Sequence, residues 1–246
     1  MHEMDIVMPV FNEGEGILRV LASLERSVRA TYRVLVCYDF DGDTTLEALR
    51  RHDLVDGRVV LVRNTGRGAF DAVVSGFTAS SAPAIVVLPA DDDYNASRLD
   101  EMYAQFRSGK EIVVASRFIP GGRMVGCPWL KSLLVRTSAF FLFHVARLPT
   151  RDPSNGLRLF SRRVLERIPL ESSVGFTYSI ELLVKCHRLG WPIGEVAAEW
   201  HERRQGQSRF KVLRWLPGYL RWFLYAFATT YLRRPPRSVR LRPAGA

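Results

Sequence analysis

Five short runs of aliphatic and β-branched residues, each followed by a stretch with helical periodicity, constrain this chain more than any other feature. They are Ile6-Val7-Met8-Pro9-Val10, Val34-Leu35-Val36-Cys37, Val59-Val60-Leu61-Val62, Ile85-Val86-Val87-Leu88 and Ile112-Val113-Val114-Ala115. None alternates polar with apolar positions, so each needs cover on both faces, as strands of a parallel sheet do. Between them, Ile17, Leu21, Leu24 and Val28 recur at helical spacing, and comparable stretches run through Leu46 and Leu49, through Ala69, Val73 and Phe77, and from Leu99 to Phe106. The alternation predicts an α/β fold, a mostly parallel sheet flanked by helices. A length of 246 residues fits one such domain with appendages.

Beyond Ala115 the pattern changes. Trp129 to Leu148 reads as a helix rich in Leu, Phe and Val, Leu157 to Phe160 as a short strand, Tyr178 to Leu189 as a helix and Ile193 to Trp200 as another strand. Val212 to Leu232 follows as an aromatic-rich helix, but Arg214, Pro217 and Arg221 interrupt it. A spanning helix needs about 20 apolar residues, so an amphipathic helix lying in a membrane interface fits better. Packing of its aromatic stripe into the core is the competing reading.

Charge is distributed unevenly. The eleven basic residues from Arg203 onward, with no acid among them, account for the whole net charge of +10. A cationic end of this kind suits an anionic partner: a phosphate group, a membrane surface or nucleic acid. No nucleic-acid reading module accompanies it, and its aromatics cluster with aliphatics, so a lipid surface is the expectation. Cys37, Cys127 and Cys186 lack the spacing of a disulfide framework or a zinc site. The N-terminus enters its first strand without the basic and apolar regions of a signal peptide, so the expected location is cytoplasmic, peripheral at the inner face of the cell membrane.

In an open parallel sheet the ligand lies beyond the carboxyl ends of the strands. Here those ends carry Asn12 and Glu13, then Asp39 and Asp41, then Gly66-Arg67-Gly68, then Asp91-Asp92-Asp93, then Ser116-Arg117. Asp91 and Asp93 are hard oxygen donors able to approach one Mg2+ or Mn2+ ion, which would neutralise a departing diphosphate; the alternative is that an Asp of this triplet caps the next helix. Arg117, Lys131, Arg158, Arg203 and Arg209 are candidates to hold phosphates. Asp152, in a Gly-containing turn, is either a base for a hydroxyl acceptor or a turn cap.

Read in order, Pro9-Val10-Phe11-Asn12-Glu13, the acidic turn at Asp39 and Asp41, the acids at Asp91 and Asp93, Ser116-Arg117-Phe118 with Gly121-Gly122, Asp152-Pro153-Ser154-Asn155-Gly156-Leu157-Arg158 and Arg203-Arg204-Gln205-Gly206-Gln207-Ser208-Arg209 resemble family 2 glycosyltransferases, above all the dolichyl- and polyprenyl-phosphate mannosyl and glucosyl synthases. The resemblance implies a Rossmann-like GT-A fold with a nucleotide sugar across the strand ends. Pro9, Asn12 and Glu13 would line the nucleoside pocket, Asp39 would contact base or ribose with Asp41 also in the nucleotide-binding set, and Gly66, Arg67 and Gly68 would shape the far wall. Asp91 and Asp93 would hold the metal, and Arg117, Arg203 and Arg209 would neutralise phosphates. Two departures stand out: Pro89 replaces the first acid of the usual Asp-x-Asp, and the turn after the second strand reads Tyr38-Asp39-Phe40-Asp41-Gly42-Asp43.

The sequence therefore predicts a GT-A domain over 1–210, an interfacial helix over 211–232 and a basic flexible tail over 233–246. The expected reaction is inverting transfer of a hexose from GDP-mannose or a UDP-sugar to a polyprenyl or dolichyl phosphate. A hydroxyl acceptor on a glycan or lipid is one rival; a nucleotide-binding protein that has lost catalysis is the other.

Overall fold

The computed structural model describes residues 2–202 and 212–243. The five aliphatic runs form β1 (Met4–Pro9), β2 (Tyr32–Tyr38), β3 (Val59–Arg63), β4 (Ala84–Val87) and β5 (Ile112–Ser116). The helices between them are α1 (Gly16–Ser27), α2 (Thr44–Arg51), α3 (Gly68–Ala79) and α4 (Leu99–Arg107). Later in the chain come β6 (Arg123–Val125), α5 (Trp129–Phe140) continuing as a π-helical turn over Phe141–Val145, β7 (Arg158–Ser161), α6 (Arg162–Arg167), α7 (Thr177–Leu189), β8 (Ile193–Ala197), β9 (Glu199–His201) and α8 (Val212–Tyr231).

The main sheet has the order β3-β2-β1-β4-β7-β5-β8, and β6 pairs with β9 in a separate two-stranded sheet. All neighbours in the main sheet are parallel except β7, which inserts antiparallel between β4 and β5. Alternate residues of each strand feed opposite layers, as strand geometry requires. On β1, Ile6 and Met8 face the layer of α1, α2 and α4, while Val7 faces the layer of α3, α7 and α8. Close packing fixes the second interface tightly: a Cβ on Gly76 of α3 would overlap the side chains of Val7 and Cys37.

The second half departs from the expected chain organisation in three respects: the last strand, the C-terminal helix and the segment expected as a flexible tail. The segment read as one strand from Ile193 to Trp200 is divided into β8 and β9, which serve different sheets. The C-terminal helix is not an appendage: Trp222 is 1% exposed and joins Ala226 in the core beneath α7, and Trp222 Nε1 donates to Ser172 Oγ at 2.9 Å. Its other side leaves Leu216, Leu220 and Leu224 exposed beside the exposed Arg221. Residues after it are also docked. Arg242 N donates to Arg167 O, and Arg188 reaches Ser238 as well as Thr229 of α8 itself. Among the described residues no helix is long and apolar enough to cross a membrane.

Candidate functional site

The sheet changes winding direction between β1 and β4, since β2 and β3 lie on one side of β1 and β4 on the other. A crevice opens at such a switch point, outside the carboxyl ends of the strands. Asn12 and Glu13 follow β1 there and Asp91 follows β4, so the fold brings the predicted donor residues to one edge.

The β1 and β2 ends are tied together by an acid the functional reading passed over. Asp43 is buried and caps α2, accepting from Thr45 N at 2.8 Å, and its other oxygen accepts from Asn12 N at 3.0 Å. Asn12 itself has φ of +55° and accepts from Thr44 N through Oδ1 at 3.2 Å. Asn tolerates this left-handed conformation better than most residues. Glu13 N donates to Thr45 Oγ1 at 3.0 Å. At the mouth of this loop the rings of Phe11 and Phe40 meet edge to face at 5.6 Å, both partly exposed. Pro9 is the last residue of β1.

On the far wall, Asp39 accepts from Asn64 Nδ2 at 2.6 Å and from Gly68 N at 2.9 Å. Asn64 Oδ1 accepts from Gly66 N at 2.9 Å, so this buried amide holds the Gly66-Arg67-Gly68 loop against β2. An Asn two residues before a Gly is a turn signal in the sequence, and it would have found this residue. Arg67 lies exposed on the loop, where its backbone N donates to Asp71 at 2.9 Å. Asp41 is turned outward to an exposed pair with Arg63 at 2.6 Å, away from Asp39's partners.

After β4 the three acids part company. Asp91 is exposed at the strand end. Asp92 is pushed up to about 6 by burial, despite the N–H groups of Asn95 that its carboxylate accepts, and with Asp91 adding to the rise. Asp93 points along α1, 3.4 Å from Arg19 Nε, while its carbonyl accepts from Ser23 Oγ at 2.8 Å. The expected Asp91 and Asp93 pair is therefore not assembled on one cation. Among the described residues no three His, Cys, Asp or Glu side chains converge as a metal centre. Asp91 by itself suits Mg2+ or Mn2+ carried in by a diphosphate, since Mg2+ commonly takes one or two carboxylates plus substrate phosphates.

At the β5 end, Arg117 forks onto Asp152: Nε donates to Oδ2 at 2.6 Å, Nη2 to Oδ1 at 2.7 Å, and the backbone N also to Oδ2 at 2.9 Å. Asp152 is fully buried and Arg117 nearly so. This placement weighs against the base reading of Asp152, since both of its oxygens accept from Arg117. The assignment of Arg158 to phosphate needs correcting as well. Its side chain is fully buried, with Nη1 donating to Ser179 O at 2.5 Å and Nη2 to Pro153 O and Asn155 O at 3.1 and 3.3 Å. Burial lowers it to about 10, so it stays charged at neutral pH and braces the Asp152 turn against α7. Arg203 and Arg209 lie outside the described residues.

Beside Arg117 sits a cation that the sequence reading missed. Arg136 of α5 and Arg117 both approach the ring of Phe118, at 5.1 and 5.2 Å from its centroid. Arg136 is exposed, and Leu133 and Phe140, one helical turn away on either side, are exposed too. Trp129 is 76% and Leu134 61% exposed on the same helix. Lys131 is turned toward β9, pairing with Glu202 at 2.9 Å and lying 4.4 Å from the Trp200 ring centroid.

Comparison with known proteins adds to this geometry. The model of the family described as Glycosyl transferase family 2 matches residues 5–169, about two thirds of the chain. A dolichol-phosphate mannosyltransferase of Pyrococcus furiosus is 24% identical over 214 residues, spanning 85% of this chain and 59% of that protein. The chain thus matches under two thirds of that protein's length. A polyprenol monophosphomannose synthase of Mycolicibacterium smegmatis is 24% identical over 227 residues, 85% of each chain. Among solved structures, glucosyl-3-phosphoglycerate synthase of Mycobacterium tuberculosis bound to uridine diphosphate superimposes with a TM-score of 0.68 at 16% identity, covering 92% of this chain and 80% of that one. Another structure of that synthase holds Mn2+, uridine diphosphate and glucosyl-3-phosphoglycerate.

Proposed function

The chain belongs to glycosyl transferase family 2, and on that footing we propose that it transfers a hexose from GDP-mannose or a UDP-sugar to a polyprenyl or dolichyl phosphate, with inversion at the anomeric carbon. The observation that carries the acceptor assignment is the pairing of a cationic edge with an exposed apolar helix: Arg136 beside Arg117, on an α5 whose Trp129, Leu130, Leu133 and Leu134 lie exposed. An anionic head on an apolar tail is complementary to both. The two relatives named for polyprenol- and dolichol-phosphate mannose chemistry support the same class.

In this reading the donor's nucleoside lies between the Asn12 loop and the Gly66–Gly68 loop, with Asp39, Asn12 and Glu13 setting the walls. Asp91 faces the diphosphate. A divalent cation held there would neutralise the leaving group's charge. An oxygen of the acceptor phosphate attacks the anomeric carbon; the bond from that carbon to the diphosphate breaks, and its electron pair leaves with the nucleoside diphosphate. A phosphate monoester is already an anion at neutral pH, so no base has to take a proton. This fits a site in which Asp152 is committed to Arg117. Positioning by cations then supplies most of the catalysis. Arg136 is the acceptor-phosphate residue we favour among the described ones.

The same α5 face, with Leu216, Leu220 and Leu224 of α8, is our candidate for the surface that meets an anionic membrane. The test is a flotation assay with vesicles containing anionic lipid and polyprenyl phosphate, run alongside a competition panel of GDP- and UDP-sugars. Salt-sensitive vesicle binding and saturable competition by one nucleotide series support the reading. Nucleotide binding without any transfer to lipid would favour the lapsed-enzyme alternative.

A further inference from the structure

Asn95 is 1% exposed and belongs to none of the family-like segments, yet its side-chain nitrogen and oxygen are both engaged. Nδ2 donates to both oxygens of Asp92 at 2.8 Å and to Glu199 O at 2.8 Å. Oδ1 accepts from Glu199 N at 2.8 Å. The amide thus reads both backbone groups of one residue of β9, as a neighbouring strand would, on the edge that β6 does not use. Its own N–H donates to Asp92 at 3.1 Å, closing the acidic loop on itself. Tyr94, next in that loop, stacks on His201 of β9 at 3.8 Å between centroids.

These contacts join two halves of the site. Asp91 stands on one side, in the loop Asn95 folds. On the other side, Trp200 of β9 and Glu202 just after it both hold Lys131 of α5, the helix that carries Arg136 and the exposed apolar face. We propose that Asn95 is a positioning residue for glycosyl transfer: it fixes the distance between the Asp91 loop, where the diphosphate leaves, and the β9–α5 unit, where the acceptor phosphate arrives. The proposal rests on the functional reading above for the identity of the two halves.

Two readouts test it, one of which needs no activity. Asn95→Ala is compared with Val164→Ala, a core substitution on α6 at the opposite end of the strands. Hydrogen exchange at the Glu199 amide is expected to accelerate in Asn95→Ala and not in Val164→Ala. In transfer assays, Asn95→Ala is expected to lower kcat about tenfold or more while KM for the nucleotide sugar stays within about threefold, because misplacement on the ångström scale costs up to ~100-fold in rate without removing a binding contact. Unchanged exchange at Glu199 in Asn95→Ala overturns the proposal, as does a kcat loss no larger than that of Val164→Ala. A wild-type protein that transfers no sugar defeats the functional reading instead, while the exchange arm still decides whether Asn95 couples the loop to β9.

Discussion

Removing the Asp152 carboxylate strands a buried cation, and the consequence is large enough to measure. Three N–H groups of Arg117 converge on Asp152 at 2.6 to 2.9 Å, and the Asp152 side chain has no exposure. In Asp152→Ala the guanidinium keeps only Ser154 Oγ, at 2.7 Å, among these partners. Breaking a buried pair by deleting one member costs about 3–5 kcal/mol. For a chain of this size each kcal/mol moves Tm by about 2–4 °C, so a fall of roughly 6–20 °C is expected by calorimetry. Replacing both partners, as in Arg117→Met with Asp152→Leu, should cost less than Asp152→Ala alone, because no charge is then left buried. The two roles of Asp152 separate here. A general base would lose kcat and the acidic limb of the pH–rate profile with Tm intact. A Tm for Asp152→Ala within about 2 °C of wild type would refute the anchoring argument.

Trp222→Ala should destabilise by about 3–5 kcal/mol in denaturant titration, since α8 delivers that ring into the core; a change under about 1 kcal/mol would return the helix to the status of an appendage. Leu133→Glu with Leu134→Glu should abolish flotation with anionic vesicles and leave Tm unchanged, because both side chains are exposed. Burial alone would raise the Asp5 carboxyl, but the Arg33 fork and the Ser81 and Ala82 N–H groups outweigh it and leave it below its ordinary 3.8. Its stabilisation is therefore complete well above pH 3.8 and is lost as pH falls through the lower folded value. Asp5→Asn should cost about 2 kcal/mol at pH 7, with the gap to wild type closing on acidification; a gap constant down to pH about 2 would contradict the sign.

Much of this architecture was legible because burial on both faces leaves an unambiguous mark. The five aliphatic runs became β1 to β5, and the polar residues after them share one edge as the topology demands. The insertion of β7 between β4 and β5 was not legible, since strand order is settled by tertiary packing and Arg158-Leu159-Phe160 carries no label of its neighbours. Arg158 misled for a related reason: an arginine in a family-like motif reads as a phosphate ligand until three backbone carbonyls are seen around it. The Arg117–Asp152 fork joins residues 35 apart and the Asn95–Glu199 clamp residues 104 apart, separations at which spacing carries no information. Asp93 was assigned by proximity to Asp91 in sequence, yet adjacent side chains in an irregular turn diverge, and this one follows α1.

The central claim, hexose transfer to a lipid phosphate, is tested most directly by offering the purified protein a labelled nucleotide sugar with polyprenyl phosphate and, in parallel, with the corresponding polyprenol, then counting label in the organic phase. The account predicts label only with the phosphate, in the inverted anomeric configuration, and none with Asp91→Ala. Label appearing with the alcohol and not with the phosphate would contradict it.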